Sequence, residues 1–308
     1  MKLRRPAYLW ILLLVLSVSF GWAQSRRRNS EGPIYVAEGG QEVDVRVVKT
    51  AREVPSHSTE TPVWENPPEF KSDVFTFVRI IRDRDPHGSR TAGSWITDFP
   101  DSDLNLSYRL QQMTSIKVDP NGRILRLTDK ELYRYPFIYM VEPGALLLKE
   151  EEVGVLREYL LNGGFLMVDD FWGEWQWDGF AEQIKRVFPD REFVELPMDH
   201  EIFHCVFDLN VEKNKLQVPN SNLGKQAKYT GVTWETHPRK EGGMEECTEM
   251  HVRALYDDKG RIMILATHNT DNGDGWEREG EDDYFFHEFS EKRSFPLGIN
   301  IIFYVMTH

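Results

Sequence analysis

The stretch Tyr159-Leu-Leu-Asn-Gly-Gly-Phe-Leu-Met-Val-Asp-Asp-Phe-Trp-Gly173 predicts a helix, a glycine turn and a buried strand that ends at two carboxylates. Leucines at helical spacing precede the turn, and Asn162-Gly163-Gly164 can adopt the left-handed conformation that ends a helix. The unbroken apolar run at 165–168 is typical of a parallel strand covered on both faces. Asp169 and Asp170 would then lie just past the carboxyl end of that strand, where open α/β sheets form their ligand crevice.

Strands and helices are predicted to alternate from Val74 to the C-terminus. Runs of β-branched and aromatic residues indicate the strands, and apolar stripes that follow capping residues indicate the helices. This order predicts a doubly wound α/β fold, in which a mostly parallel sheet carries helices on both faces. The predicted strands are 74–81, 137–141, 165–168, 192–196 and 262–266, and the main predicted helices are 101–113, 149–161, 177–188 and 298–306.

The first 23 residues are predicted to be a cleaved secretory signal peptide. Basic residues are followed by an apolar segment and by Gly21-Trp22-Ala23, which fits the small-x-small rule of a cleavage site. The apolar segment is shorter than the roughly 20 residues that a membrane span needs. We therefore expect export to the periplasm or the cell exterior, an extended leader or linker at 24–72, and one α/β domain at 73–308 with an irregular insertion at 208–250. This insertion is expected to contain a short β element at 229–234.

Charge and cysteine content narrow the possible functions. The net charge is −13, and loss of residues 1–23, which hold three basic and no acidic residues, would change it to −16. Nucleic acid is not an expected partner, because phosphate binding requires clustered Lys and Arg. The two cysteines, Cys205 and Cys247, are too few for a four-cysteine zinc site, but one disulfide and two separate thiols both stay open.

The loop after the first strand combines aromatic and acidic residues and is predicted to face the crevice. Trp95, Asp98, Asp103 and Asn105 would suit a hydroxyl-rich ligand, since rings can contact sugar C–H groups and acids can accept hydrogen bonds from hydroxyls. The aromatic run at 171–177 would lie beside them. Alternatively, these tryptophans cover the core and contact no ligand.

A looser set of residues could bind a divalent metal. Asp169, Asp170, His200 and His204, with His268 as a further candidate and Asp199 nearby, follow different strands of the predicted sheet. If these strands are parallel, their ends converge, and a mixture of carboxylate and imidazole suits zinc, manganese or iron. The alternative is that the carboxylates bind backbone groups and that the histidines are structural. The identity of any cofactor stays open.

Two motif matches in the sequence are interpreted as accidental. The segment 200–204 satisfies the H-E-x-x-H pattern of zinc proteases, but Pro197 and Asp199 indicate a loop instead of the long helix that this site needs. The acidic segment 271–277 fails the spacing of a calcium loop and is better explained as an Asx-rich turn. The sequence contains no P-loop, no G-x-G-x-x-G and no G-x-S-x-G motif.

Four motifs together resemble a bacterial family, domain of unknown function 4159, over 74–308. They are Trp95-x-Thr-Asp98-x-Pro100, Leu160-x-Asn-Gly-Gly-Phe-Leu-x-x-Asp169-Asp170, Asp199-His200-x-Ile-Phe-His204 and Leu297-Gly298-x-Asn300. The resemblance implies a place among class I glutamine amidotransferase-like and trehalose-utilisation-like proteins, and hence a flavodoxin-like sheet. In amidotransferases a nucleophilic cysteine follows a buried strand, whereas the corresponding turn here carries Asp169-Asp170. The resemblance therefore implies the fold without thiol chemistry, and it implies no particular activity.

We expect an exported domain that binds a small polar or carbohydrate ligand, or an envelope protein partner. The alternative is a metal-dependent hydrolase, in which two aspartates and two histidines hold the ion and one carboxylate orients water. A third possibility is a structural partner in an envelope complex. No membrane span is expected after signal cleavage, because the apolar segment 298–306 is too short. The expected crevice is lined by Asp98, Asp103, Asp169, Asp170, Asp199 and His200.

Overall fold

The computed structural model describes residues 32–58, 60–70 and 73–308, so the predicted signal peptide lies outside the described residues. In this part of the chain we number thirteen strands and seven α-helices. The strands are β1 (Ile34–Val36), β2 (Glu42–Asp44), β3 (Val78–Ile81), β4 (Asp83–Arg84), β5 (Arg123–Arg126), β6 (Phe137–Val141), β7 (Leu146–Leu147), β8 (Phe165–Asp169), β9 (Val194–Glu195), β10 (Thr236–Pro238), β11 (Met244–Glu246), β12 (His251–Tyr256) and β13 (Ile262–His268). The helices are α1 (Asp101–Met113), α2 (Glu150–Leu161), α3 (Gly173–Val187), α4 (Ser221–Thr230), α5 (Asn272–Glu277), α6 (Asp283–Phe285) and α7 (Phe295–Thr307), and a π-helical segment (Phe286–Ser294) joins α6 to α7.

A central sheet of seven strands has the order β5-β3-β6-β8-β13-β12-β9. The five strands from β5 to β13 are parallel, and β12 pairs antiparallel with both β13 and β9. The prediction of a mixed α/β protein with a mostly parallel sheet is thereby confirmed. Because the parallel strands all end at one edge, the residues that follow them meet there.

Helices cover both faces of the central strands. Along β6, Phe137, Tyr139 and Val141 pack into one hydrophobic core with residues of α1, α5 and α7, whereas Ile138 and Met140 pack into a second core with residues of α2 and α3. Every residue of β6 and β8 is buried. Burial on both faces explains why these strands have unbroken apolar sequences instead of alternating ones.

The connection α2-β8-α3 follows the sequence prediction at its start and departs from it at its end. Gly163 has a left-handed backbone (φ 104°) just after α2, as a glycine C-cap requires. However, α3 begins at Gly173, four residues before the predicted start at 177. The reason is that Asp170 turns the chain sharply after β8, so Trp172 already occupies the N-cap position.

The insertion 208–250 contains regular structure. Helix α4 is capped by Asn220, whose side chain accepts from the backbone N of Leu223 at 3.2 Å, and it ends at the left-handed Gly231. Strands β10 and β11 form an antiparallel hairpin. The prediction of a short β element at 229–234 is therefore wrong, because α4 extends to Thr230 and the strand pairing begins only at Thr236.

The described part of the predicted leader packs against the α/β core. Strands β1 and β2 form a separate two-stranded sheet, and Val43 and Val45 are buried in a cluster with Trp95 and Phe99. The ring of Tyr35 contacts that of Trp95 edge-on, with centroids 5.1 Å apart. The alternating valines thus bury one face of a hairpin. Among the described residues, no helix is both long and apolar enough to cross a membrane.

Candidate functional site

Three neighbouring parallel strands of the central sheet end in the same way. The residues directly after β6, β8 and β13 are Glu142, Asp170 and Asn269, with φ of 48°, 56° and 59°. Left-handed backbone is uncommon outside glycine, and short polar side chains tolerate it best because they can bond locally. Asn269 uses its side-chain oxygen to accept from the backbone N of Gly173 at 2.8 Å, which fixes the start of α3.

Asp98 reaches the same edge from the loop that leads into α1, and its backbone is also left-handed (φ 61°). Arg79 of β3 anchors this loop, because its guanidinium donates to two of the loop's carbonyl oxygens at 3.0 and 2.8 Å. One carboxylate oxygen each from Asp98, Asp170 and Asp271 lie within 4.8 Å of one another. All three side chains belong to buried residues.

Asp271 is held in position as the N-cap of α5. Its side chain accepts from the backbone N of Asp274 at 2.7 Å, which is the hydrogen bond of a helix N-cap. The segment 271–277, which the sequence predicts as an Asx-rich turn, is instead a short helix with Asp271 as its N-cap. The same carboxylate also faces Asp98 and Asp170, and this second role was missed because the turn alone explains the residue.

A cavity of about 390 Å³ opens above these carboxylates. Its deeper part is acidic, and its outer part carries hydroxyl, amide and charged groups. Thr91 and Asn222 are exposed at its rim, whereas Trp172 is buried and stacks on His237. We call this cavity the acid pocket; it is lined by Glu38, Thr91, Thr97, Asp98, Glu142, Asp170, Trp172, Gln176, Asn220, Ser221, Asn222, Glu235, His237, Asp271, Asp274 and Arg278.

Burial and mutual repulsion raise the pKa values of the central carboxyl groups. Burial is the largest cause for Asp98, Asp170 and Asp271, and the neighbouring acids add to it, so each pKa lies well above its ordinary value. Burial also raises the pKa of Glu142 to about 7, although Thr97 donates to its carboxylate at 2.6 Å. Perturbed carboxyl groups in a cleft are typical of functional sites.

A second cluster of carboxylates borders the acid pocket, and basic side chains are paired with them. His57 lies 2.8 Å from both the Asp101 and the Glu277 carboxylates. Hydrogen bonds to these two acids raise the pKa of His57 to about 10. Arg278 contacts Glu277 at 2.6 Å and reaches Glu38 at 2.5 Å. This group is therefore largely neutralised, in contrast to the three central aspartates.

Four of the predicted crevice residues have structural partners instead. Asp169 accepts from Thr267, from Asn272 and from the backbone N of Gly273 at 2.5–3.1 Å, which ties β8 to β13 and α5. The other three predicted residues, Trp95, Asp103 and Asn105, are also buried.

Asp103 forms an ion pair with Arg79. Asn105 accepts a hydrogen bond from Thr61 and donates one to the carbonyl oxygen of Trp276. The ring of Trp95 packs against those of Tyr35 and Phe99.

The histidines of the predicted metal set do not join the central aspartates. In the described part of the chain, no group of three ligating atoms within 4.8 Å includes His200, His204 or His268. His200 accepts from the backbone N of Ile202, and His204 lies 2.6 Å from Asp208. Asp199 is exposed beside them. These residues follow β9, which is three strands from β8, or about 14 Å at the usual strand spacing.

His268 lies at the end of β13 but points to the other face of the sheet. Its neighbour Thr267 bonds Asp169, and successive side chains of a strand point to opposite faces. His268 is therefore buried among Phe171, Trp177 and His251, and its Nε2 lies 3.1 Å from the carbonyl oxygen of Gly173.

Both cysteines are free thiols. Burial raises the pKa of Cys247 to about 12, and it also raises the pKa of Cys205. Neither thiol is a strong nucleophile at neutral pH, because the thiolate is the reactive form.

A larger cavity, of about 680 Å³, lies at the opposite edge of the sheet near Leu161, Gly260 and Tyr304. Two of its charged residues, Arg261 and Asp257, contact each other at 3.1 Å. The acid pocket is the better candidate site, because it holds buried carboxylates that lack such a partner.

Several residues of the acid pocket were not predicted from sequence. Glu38 comes from the N-terminal hairpin, and Glu235 and Asn220 come from the insertion, so only tertiary contacts bring them here. Glu142 could have been predicted from the sequence, because it directly follows the buried strand β6, just as Asp170 directly follows β8. The proline after Glu142 also marks the end of that strand.

No curated protein matches this chain. Residues 79–306 match the family described as a domain of unknown function, DUF4159. The match covers most of the chain and runs from within β3 into α7, but it leaves out the N-terminal hairpin that carries Glu38. The chain belongs to the DUF4159 family.

Proposed function

We propose that this protein is an exported binding domain that takes a small, hydroxyl-rich ligand in the acid pocket. The observation that carries the proposal is an excess of buried hydrogen-bond acceptors at the carboxyl edge of a parallel sheet. Ligands commonly bind at this edge in open α/β folds. A carbohydrate or another polyol is the ligand class that matches it.

The hydrogen-bond partners of the acid pocket explain this choice. Three of its donors are already engaged: Gln176 donates to Thr91 at 3.0 Å, Asn220 donates to Glu235 at 2.7 Å, and Trp172 donates to Asp170 at 2.9 Å. The carboxylates therefore outnumber the free donors. A ligand rich in hydroxyl or amino groups would supply the missing donors, whereas an anionic ligand would be repelled.

The proposal includes a doubly wound, flavodoxin-like fold of the amidotransferase-like and trehalose-utilisation-like superfamily. Support comes from the parallel order of the strands and from the sharp turn after β8, where such folds place a nucleophile. Here the turn holds Asp170, and the two thiols have raised pKa values. We therefore propose a function that does not use thiol chemistry.

Export to the periplasm or the cell exterior is part of the same proposal. It rests on the basic, then apolar, then small-residue pattern of 1–23. An envelope protein remains the alternative partner. A hydrolase that uses Asp170 with His200 and His204 gains no support from the geometry, because these histidines bind residues of their own segment.

A ligand screen by thermal unfolding tests the proposal. Neutral sugars, amino sugars and uronic acids would each be added to the purified protein. We expect stabilisation by a neutral or amino sugar and none by the uronic acids, and we expect Asp170→Asn to lose it. Asp199→Asn is the matched control, because it removes one exposed acid outside the acid pocket. Equal stabilisation of both variants, or a preference for uronic acids, would contradict the proposal.

A further inference from the structure

We propose that Asp98, Asp170 and Asp271 bind a hard divalent cation, of the Ca²⁺, Mg²⁺ or Mn²⁺ class, at the floor of the acid pocket. This inference deepens the proposed function, because the ion would lie where the ligand binds and could coordinate its hydroxyl groups. Cation binding itself does not depend on that ligand, so the two can fail separately.

The spacing of the three carboxylates suits a single ion. Oxygens that bind one Ca²⁺ lie about 2.3–2.6 Å from it, and therefore no more than about 5 Å from one another. One oxygen from each aspartate meets this limit, since all three lie within 4.8 Å of one another. The three side chains come from three separate segments, each held by its own backbone contacts, so the arrangement does not depend on one flexible loop.

An unpartnered oxygen provides an independent indication of a ligand. Asp98 is only 1% exposed, and no group donates a hydrogen bond to its Oδ2. It packs against Gly273, where a Cβ atom would lie 2.0 Å away. A buried carboxylate oxygen without a partner is costly, and in proteins such groups bind a metal or hold a proton.

The basic side chains near the three aspartates pair with other groups. In the part of the chain that the structure describes, no Lys, Arg or His forms an ion pair with any of the three aspartates. Arg79 contacts Asp103 at 2.5 Å, and Arg278 contacts Glu38 and Glu277. Arg82 donates to backbone carbonyl oxygens, including that of Val141 at 3.2 Å. Among the described residues, these cations therefore leave the three carboxylates without a direct basic partner.

The ligand atoms determine the class of metal. The central group consists of carboxylate oxygens alone, and the additional acids Glu142 and Asp274 line the same cavity. Oxygen ligands favour Mg²⁺, Ca²⁺ and Mn²⁺, whereas zinc sites usually include imidazole or thiolate. His57 belongs to the separate group with Glu38 and Glu277.

Isothermal titration of the purified protein with CaCl₂, MgCl₂, MnCl₂ and ZnCl₂, at neutral pH and without sugar, tests the inference. We expect one ion of the hard class to bind per chain. Asp98→Asn, Asp170→Asn and Asp271→Asn should each weaken the affinity at least about tenfold, which is the loss typical even of residues that only support a metal ligand. Asp199→Asn should bind like the parent protein.

A second measurement covers the case in which a variant does not fold. Tb³⁺ replaces these cations at oxygen sites, and the Trp172 indole lies 2.9 Å from an oxygen of Asp170. Excitation of the indoles of the unmutated protein should therefore give Tb³⁺ emission that the preferred cation displaces. The inference is overturned if no cation saturates the protein and Tb³⁺ emission is absent, or if the folded Asp→Asn variants bind as tightly as Asp199→Asn. Sugar binding that survives a chelator would refute the coordinating role of the ion but not the proposed function.

Discussion

At the scale of single residues, Asp98 is the acid at which the proposed cation site would reduce the stability of the fold. It is buried, its Oδ2 has no donor, and acids surround it. We predict that Asp98→Asn raises the free energy of unfolding by about 1–3 kcal/mol in the presence of a chelator, because it removes a buried, unsatisfied acid.

Urea unfolding of the parent and variant proteins measures this change. Asp199→Asn removes an exposed acid and should shift the free energy of unfolding by less than about 0.5 kcal/mol. A loss of stability in Asp98→Asn would indicate that Asp98 has a partner in solution, and it would weaken the argument for a cation.

Gly273 gives a second prediction, about the shape of the acid pocket. A Cβ atom there would lie 2.0 Å from Oδ2 of Asp98, so Gly273→Ala must displace that carboxylate. We expect weaker binding of the cation in titration calorimetry. Gly154 in α2 is the control, because a Cβ there meets nothing within 4 Å, and Gly154→Ala should stabilise the helix by up to about 1 kcal/mol without changing binding. Unaltered binding by Gly273→Ala would remove Asp98 from the site.

At the scale of elements, His57 joins the segment that follows the N-terminal hairpin to α1 and α5. Its imidazole lies between Asp101, the first residue of α1, and Glu277, the last residue of α5. Burial opposes the ionised form of Asp101, but hydrogen bonds from His57 and Ser56 outweigh it, so the pKa of Asp101 is lowered while that of His57 is raised to about 10. Both directions indicate a charged pair at neutral pH.

We predict that His57→Gln lowers the free energy of unfolding by about 3 kcal/mol near pH 6, because it leaves a buried carboxylate without its partner. A raised pKa means that the folded state holds its proton more tightly. The stabilisation is therefore complete below the unfolded value of about 6.5 and is lost as the pH rises through about 10. Urea unfolding of both proteins from pH 6 to pH 10 measures this, and a difference that stays constant with pH would contradict the assignment.

The elements also show what could be predicted from the sequence and why the rest could not. The apolar run of β8 and the glycine pair before it identify a buried strand, because their signals are local. The sequence likewise placed Asp98 and Asp170 at one edge of the sheet, and the structure brings their carboxylates together there. It could not show that Asp103 pairs with Arg79 or that Glu38 joins the acid pocket, because both depend on contacts between distant segments.

At the scale of the whole molecule, strand order decides which strand ends share a site. β6, β8 and β13 are neighbours, so Glu142, Asp170 and the start of α5 meet at one edge. β9 is the outermost strand on the far side of β12, and the chain after it packs Ile202 and Phe203 into the core next to α7. Alternation of strands and helices predicts a parallel sheet, but it does not predict the order of its strands, and this is why His200 and His204 were grouped with Asp170.

The strand order leads to a prediction that separates the two candidate metal sets. His204 bonds the carbonyl oxygen of Met198 at 2.7 Å and lies 2.6 Å from Asp208, so both of its ring nitrogens are engaged away from the acid pocket. His204→Ala should lower the unfolding free energy by about 1 kcal/mol through the loss of these contacts and should leave cation affinity unchanged. Asp170→Asn should weaken cation binding at least about tenfold and should leave the protein folded. Titration calorimetry and urea unfolding of the two variants give the comparison, and loss of cation binding in His204→Ala would mean that the ion is held at the β9 end of the sheet.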